Sequence, residues 1–184
     1  MGGYAAAVGL VLALGAWCIF RVRDEFLHEA RLSRLTVVSV WVLYTAHLAL
    51  TLEAAATSRW PVPLSPPSAW IAGILLLGAG VLLFGGGVAS FRSFRRMSGL
   101  DTSRLVTTGA YRWSRNPQNV GAFFLLGGIA LAGRSGLALL LTALFWVAFR
   151  VYVSAEEAFL ERAFGEHYRD YCARTHRYLG PPRR

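Results

Sequence analysis

The residues most able to do chemistry fall in two polar clusters. The first is Leu105-Val106-Thr107-Thr108-Gly109-Ala110-Tyr111-Arg112-Trp113-Ser114-Arg115-Asn116-Pro117. The second is Glu156-Glu157-Ala158-Phe159-Leu160, followed by Phe164-Gly165-Glu166-His167-Tyr168-Arg169-Asp170-Tyr171. An arginine such as Arg115 takes a carboxylate through two parallel N–H donors. Pro117 suits the first turn of a helix, which puts Asn116 near the N-cap and leaves free backbone N–H groups as an anion site. Glu156 and Glu157 can accept from an amine or from ribose hydroxyls, and Tyr111, Trp113 and Tyr168 can flank a heterocycle. A ligand with a carboxylate, an ammonium, a ribose and a purine fits this set. Taken singly the same residues have plainer roles, since arginines beside a span fix topology and a glutamate pair complements a helix dipole. Their fixed order around a hairpin is what points to a ligand.

About forty residues separate the clusters, nearly all apolar and broken at Gly133-Arg134-Ser135-Gly136. A span needs roughly 20 apolar residues, so this interval predicts two spans and a tight turn that bring both clusters to one membrane face. The chain has 184 residues, 55% hydrophobic and only 16% charged, where a soluble domain carries about a quarter charged. Apolar runs at 4–20, 35–56, 69–89, 117–132 and 136–154 predict an all-α integral membrane protein with about five transmembrane helices. All 19 basic residues are arginine, and all but Arg59 and Arg134 follow the first, third or fifth run. The positive-inside rule then puts the N-terminus outside and the C-terminus in the cytoplasm of a multi-pass protein of the cell inner membrane. The net charge of +9 is thus a topology signal and an attraction to anionic lipid, and no nucleic acid partner is expected. Residues 1–20 lack a basic start and read as a retained span.

The chain reads as one membrane domain over 1–184, with the first three spans in 1–89 and the site-bearing core in 90–184. Residues 57–68 hold four prolines and predict an extended outer loop. Residues 90–116 mix arginines with Phe91, Phe94, Met97, Leu100, Tyr111 and Trp113, as suits a segment lying at the cytoplasmic interface. Beyond the fifth span Phe159, Leu160, Phe164, Tyr168 and Tyr171 recur at helical spacing, predicting a cytoplasmic amphipathic helix that closes over the bundle mouth. Gly85-Gly86-Gly87 lacks the Lys-Ser/Thr of a phosphate loop and suits close helix packing. Cys18 and Cys172 fall in different compartments and form no disulfide, and no metal spacing occurs among histidines and cysteines.

The pattern Leu105-Val106-x-x-Gly109-x-Tyr111-x-x-x-Arg115-x-Pro117, an apolar hairpin, Glu156-Glu157-x-x-Leu160, then Phe164-Gly165-x-x-Tyr168-x-x-Tyr171 resembles the isoprenylcysteine carboxyl methyltransferase and phospholipid N-methyltransferase superfamily. The resemblance covers about 96–177. It implies an integral membrane enzyme that uses S-adenosylmethionine, bound between the last two spans and the cytoplasmic tail, to methylate a lipophilic small molecule or lipid. By the same resemblance the cofactor contacts fall on Ser103, Arg104, Leu105, Val106, Tyr111, Asn116, Pro117, Gln118, Asn119 and Glu156, with Arg96 upstream. Arg115 and the Asn116 backbone would hold the methionine carboxylate, and Glu157 would be either an extra base for an amine or hydroxyl acceptor or a structural residue. The family's Arg-His-Pro-x-Tyr reads here as Arg115-Asn116-Pro117-Gln118-Asn119, and asparagine is no base near pH 7. The arginine that binds substrate carboxylate in the isoprenylcysteine branch corresponds to Tyr152, with Arg150 nearby. Two other readings stand beside this one: a lipid reductase with a nicotinamide cofactor, which the similar C-terminal halves of sterol reductases suggest, and a non-enzymatic membrane scaffold.

Overall fold

The computed structural model describes residues 2–29, 31–91, 93–98 and 100–183, apart from the Arg96 side chain. In these residues the elements are α1 (Gly2–His28), α2 (Arg34–Ala56), α3 (Pro66–Phe91), α4 (Phe94–Met97), a 3₁₀ turn (Gly109–Arg112), α5 (Pro117–Ala132), α6 (Gly136–Phe164) and α7 (Glu166–Arg174). The protein is all-helical, and α1, α2, α3 and α6 are long and apolar enough to cross a membrane. Leu10, Phe20, Leu75 and Leu82 are 71%, 68%, 68% and 78% exposed, a surface that hydrocarbon covers and water would not tolerate.

The expected fourth span is α5, which has 16 residues. At 1.5 Å per residue that is about 24 Å, short of a hydrocarbon core of about 30 Å. Both of its ends run into non-helical chain that finds hydrogen-bond partners in the protein, the condition for irregular backbone at such depth. At the outer end Ser58 Oγ donates to the Gly133 carbonyl (3.0 Å), Val62 N–H to the Arg134 carbonyl (2.9 Å) and Ser135 Oγ to the Arg59 carbonyl (2.8 Å). The proline-rich outer loop is therefore strapped to the hairpin turn.

Glycines fix where α5 lies. Gly73, Gly80 and Gly87 recur every seventh residue on α3, and Gly121 and Gly128 do so on α5. A Cβ on Gly80 would sit 2.9 Å from the Gly121 carbonyl oxygen, and one on Gly128 would sit 2.8 Å from that of Gly73. The two backbones touch, as small residues allow in membranes. Gly87 extends the seam to the first turn of α5, where the Gln118 side chain covers it.

The other wall of the bundle is closed by a buried carboxylate. Glu25, near the end of α1, accepts from Arg21 (2.8 Å), Ser33 Oγ (2.8 Å), Ser33 N–H (2.8 Å) and Thr36 Oγ1 (2.6 Å). Ser33 also caps α2 through the Thr36 N–H (3.2 Å). Just beyond, Phe26 stacks on Phe159 of α6 with centroids 5.0 Å apart. α6 runs unbroken for 29 residues, about 43 Å, so its last turns stand clear of the hydrocarbon. The amphipathic pattern after the fifth span is thus split: Phe159 belongs to α6, and the chain turns at Gly165 before Tyr168 and Tyr171 on α7. Gly165 has φ +53° and ψ −125°, a conformation that glycine alone adopts without strain.

Candidate functional site

The hairpin does bring the two polar clusters together. Arg115 donates to Glu157 Oε1 through Nη2 (2.8 Å) and Nε (3.2 Å), and Arg177 of the tail donates to Glu157 Oε2. Arg115 Nη1 also reaches the Thr175 and Cys172 carbonyls at 3.3 and 3.4 Å. The backbone completes the tie: Arg115 N–H donates to the His176 carbonyl (2.9 Å) and Gly180 N–H to the Trp113 carbonyl (3.0 Å). Asn116 Nδ2 donates to the Arg177 carbonyl at 3.0 Å. Arg115, Asn116 and Glu157 therefore strap the C-terminal tail across the start of α5.

Beneath this strap opens a cavity of about 470 Å³, of a size that takes a cofactor or a drug-sized ligand. Its mouth is lined by Arg104, Tyr111, Asn116, Gln118, Asn119 and Glu156, with Tyr168 and Tyr171 above. Leu105, Val106 and Tyr152 complete the expected residues found on its wall, beside Arg115 and Glu157. Pro117 is buried behind it, and Ser103 and Arg150 are exposed away from it. The expected contact at Arg96 lies outside the described residues.

The electrostatics of the mouth are uneven. Glu157 is saturated by two guanidinium groups, whereas the Glu156 carboxylate has no hydrogen bond or ion pair among the described residues. Gln118 Nε2 is buried on the cavity wall without an acceptor among the described residues. Asn116 gives α5 no side-chain cap. Its own N–H donates to Ser114 Oγ, and Val120 N–H donates to the Asn116 carbonyl. Pro117 has no N–H, so those of Gln118 and Asn119 are the ones left without an intrahelical partner. The mouth thus offers one unpartnered carboxyl group, which burial and then the charge of Glu157 push up to about 7, and the two N–H groups that begin α5. Tyr111 lines the same mouth. Its hydroxyl is pushed above the ordinary phenol range by burial, then by the Glu156 charge and Tyr171, so the ring is a neutral wall. Its backbone carbonyl accepts from Tyr171 Oη at 2.8 Å, which fixes α7 over the mouth. Burial raises the Tyr171 hydroxyl as well.

Deeper down the lining turns aromatic and aliphatic, with Tyr44, Phe84, Leu126 and Phe145. Val37, Trp41 and Thr45 of α2 line both this cavity and a groove on the outer face of the bundle, beside Phe94 and Leu100. The contributions of α2, Tyr44 and His47 above all, are not among the residues expected from the sequence. A signal existed: His47 is an ionisable residue inside an apolar run, and such residues mark sites by default.

The family model of phospholipid methyltransferase matches residues 68–167, from the start of α3 to the start of α7. No curated protein and no solved structure matches the chain.

Proposed function

This chain belongs to the phospholipid methyltransferase family, and we propose that it transfers a methyl group from S-adenosylmethionine to a lipophilic acceptor at the cytoplasmic mouth of the bundle. The observation that carries this reading is the unpartnered Glu156 carboxyl sharing one cavity with the buried, unpartnered amide of Gln118 and the start of α5. That pairing of opposite requirements suits a ligand with a cationic end and a carboxylate. The fit extends to its parts: the buried amide of Gln118 and the uncapped N–H groups of α5 would hold the carboxylate. Glu156 would balance the ammonium or accept from ribose, and Tyr111 would wall the adenosine. Glu156 and Tyr111 keep the roles their positions in the family pattern imply. Arg115 and Glu157, tied to each other and to the tail, act as positioning residues in this reading.

When bound, S-adenosylmethionine supplies an activated methyl group on a sulfonium for in-line displacement by the acceptor. Glu157 does no acid–base work in this reading, since both of its oxygens are occupied by Arg115 and Arg177. The chain's residues orient the reactants and keep water out, effects that together lower a barrier substantially. Tyr168 and Tyr171 roof the mouth, and the aromatic depth takes the apolar part of the acceptor. The groove shared through Val37, Trp41 and Thr45 supports lateral entry from the lipid. The arginine distribution supports five crossings, with the mouth in the cytoplasm and the N-terminus outside.

The test is transfer of labelled methyl from S-adenosylmethionine into a total lipid extract by the protein in nanodiscs, beside calorimetric binding of S-adenosylhomocysteine and NADPH. Organic-soluble label and S-adenosylhomocysteine binding are expected. At a hundredfold excess over its Kd, mass action stabilises the fold by about 2.7 kcal/mol. Binding of NADPH alone would replace this reading with that of a reductase, and binding of neither with that of a scaffold.

A further inference from the structure

The reading above leaves the histidine of the cavity wall without a task. His47 is the fourteenth residue of α2, in a part of the chain outside the matched stretch of 68–167. Its ring lies 6.0 Å from that of Phe145. Phe145 precedes Glu156 by eleven residues on α6, which is about 16 Å along the helix. The imidazole therefore stands deep below the mouth, on the wall of the same cavity. Its Nε2 is buried with no partner among the described residues. The ring faces the backbone of Leu141 on α6. With its proton on Nδ1, turned to that backbone, the ring leaves Nε2 as an acceptor.

A buried acceptor without a donor is costly. The rest of the surroundings is made of rings and alkyl groups (Tyr44, Phe145, Leu126, Leu48), suited to a hydrocarbon chain. A plain chain would leave Nε2 unmet. We propose that His47 is a specificity-determining residue that accepts a hydrogen bond from a hydroxyl on the chain of the acceptor. The substrate class is then a lipid with a hydroxylated hydrocarbon chain, its reacting headgroup at Glu156 and its hydroxyl about 16 Å away. This rests on the methyltransferase reading for what happens at the headgroup, though not for the binding of the chain.

Two probes separate the possibilities: ricinoleyl amine, whose mid-chain hydroxyl lies about 16 Å from its amine when extended, and oleyl amine, which lacks the hydroxyl. Their binding is measured by thermal shift and calorimetry on the full chain in detergent, with S-adenosylhomocysteine present. The wild type is expected to prefer the ricinoleyl amine by about tenfold, one buried hydrogen bond. His47→Leu removes the preference and binds the oleyl amine at least as well, while His47→Gln keeps part of it. Equal binding of the two lipids by the wild type, including binding of neither, overturns the proposal, as does a preference that survives in His47→Leu. Equal binding is also the result expected if a water molecule satisfies Nε2. S-adenosylhomocysteine binding by His47→Leu stays at the wild-type level. Loss of that binding in the wild type itself strikes the cofactor reading, and the two lipids still decide the role of His47.

Discussion

Replacing Glu156 by glutamine separates a binding carboxylate from a structural one, because the two neighbouring glutamates give opposite signs. Glu156 has no partner among the described residues and sits beside the like charge of Glu157. Glu156→Gln therefore removes a carboxyl group whose ionisation burial and Glu157 oppose, and the ligand-free protein is expected to keep or raise its unfolding midpoint. Its affinity for S-adenosylhomocysteine falls, because a charge-assisted hydrogen bond worth about 1.5–3 kcal/mol is lost. That is roughly ten- to a hundredfold in Kd.

Glu157→Gln is the counterpart. It leaves Arg115, whose side chain is 13% exposed, and Arg177, whose side chain is 44% exposed, without their carboxylate. Breaking a fully buried pair costs about 3–5 kcal/mol. Arg177 is half in solvent and Arg115 keeps two carbonyls, so a loss of about 1–3 kcal/mol is expected here. The assay is paired: thermal unfolding without ligand, then calorimetry with S-adenosylhomocysteine for each variant. A Glu156→Gln protein that binds as the wild type does, or that is less stable than Glu157→Gln, would refute the division of labour between the two residues.

Arg115→Ala is expected to lower stability by about 1–3 kcal/mol and to free the tail, seen as faster proteolytic loss of the segment after Gly165, while Arg112→Ala, exposed on the 3₁₀ turn, leaves both unchanged. On the α3–α5 seam, Gly121→Ala forces a Cβ against the backbone of Phe84 and should cost at least 1–3 kcal/mol. Gly85→Ala, with nothing within 4 Å, should be neutral or stabilising by up to about 1 kcal/mol; equal effects in denaturant melts would rule out the seam. Gly165→Ala strains the turn into α7 by about 1–3 kcal/mol and should weaken S-adenosylhomocysteine binding by unseating Tyr171, whereas unaltered binding would show that α7 is not a roof. A reporter fused to the C-terminus should be active only in the cytoplasm, and periplasmic activity would invert the topology.

The helices and the hairpin were legible because hydrocarbon imposes length and composition on each crossing, so the runs at 35–56 and 136–154 needed no partner to be recognised. What escaped was set by contacts between distant segments. The place of α5 depends on glycines of α3, against which its backbone packs. The deep wall depends on Tyr44 and His47, three residues apart and hence on one face of α2, with no neighbour in sequence to mark them. The split of the last amphipathic stretch turns on one torsion at Gly165, where the hydrophobic period alone runs on into α7.

The glutamate pair shows the same limit most sharply. Residue types point to a carboxylate near an arginine, and both Glu156 and Glu157 qualify by composition. On a helix, however, adjacent side chains stand about 100° apart, so one residue cannot share the other's partners. Glu157 faces the tail and takes Arg115 and Arg177, and Glu156 is thereby turned to the cavity with its carboxyl unmet. The arginine that looks like a ligand clamp in the sequence is consumed in positioning. The carboxylate left over beside it is the group a cationic ligand would find.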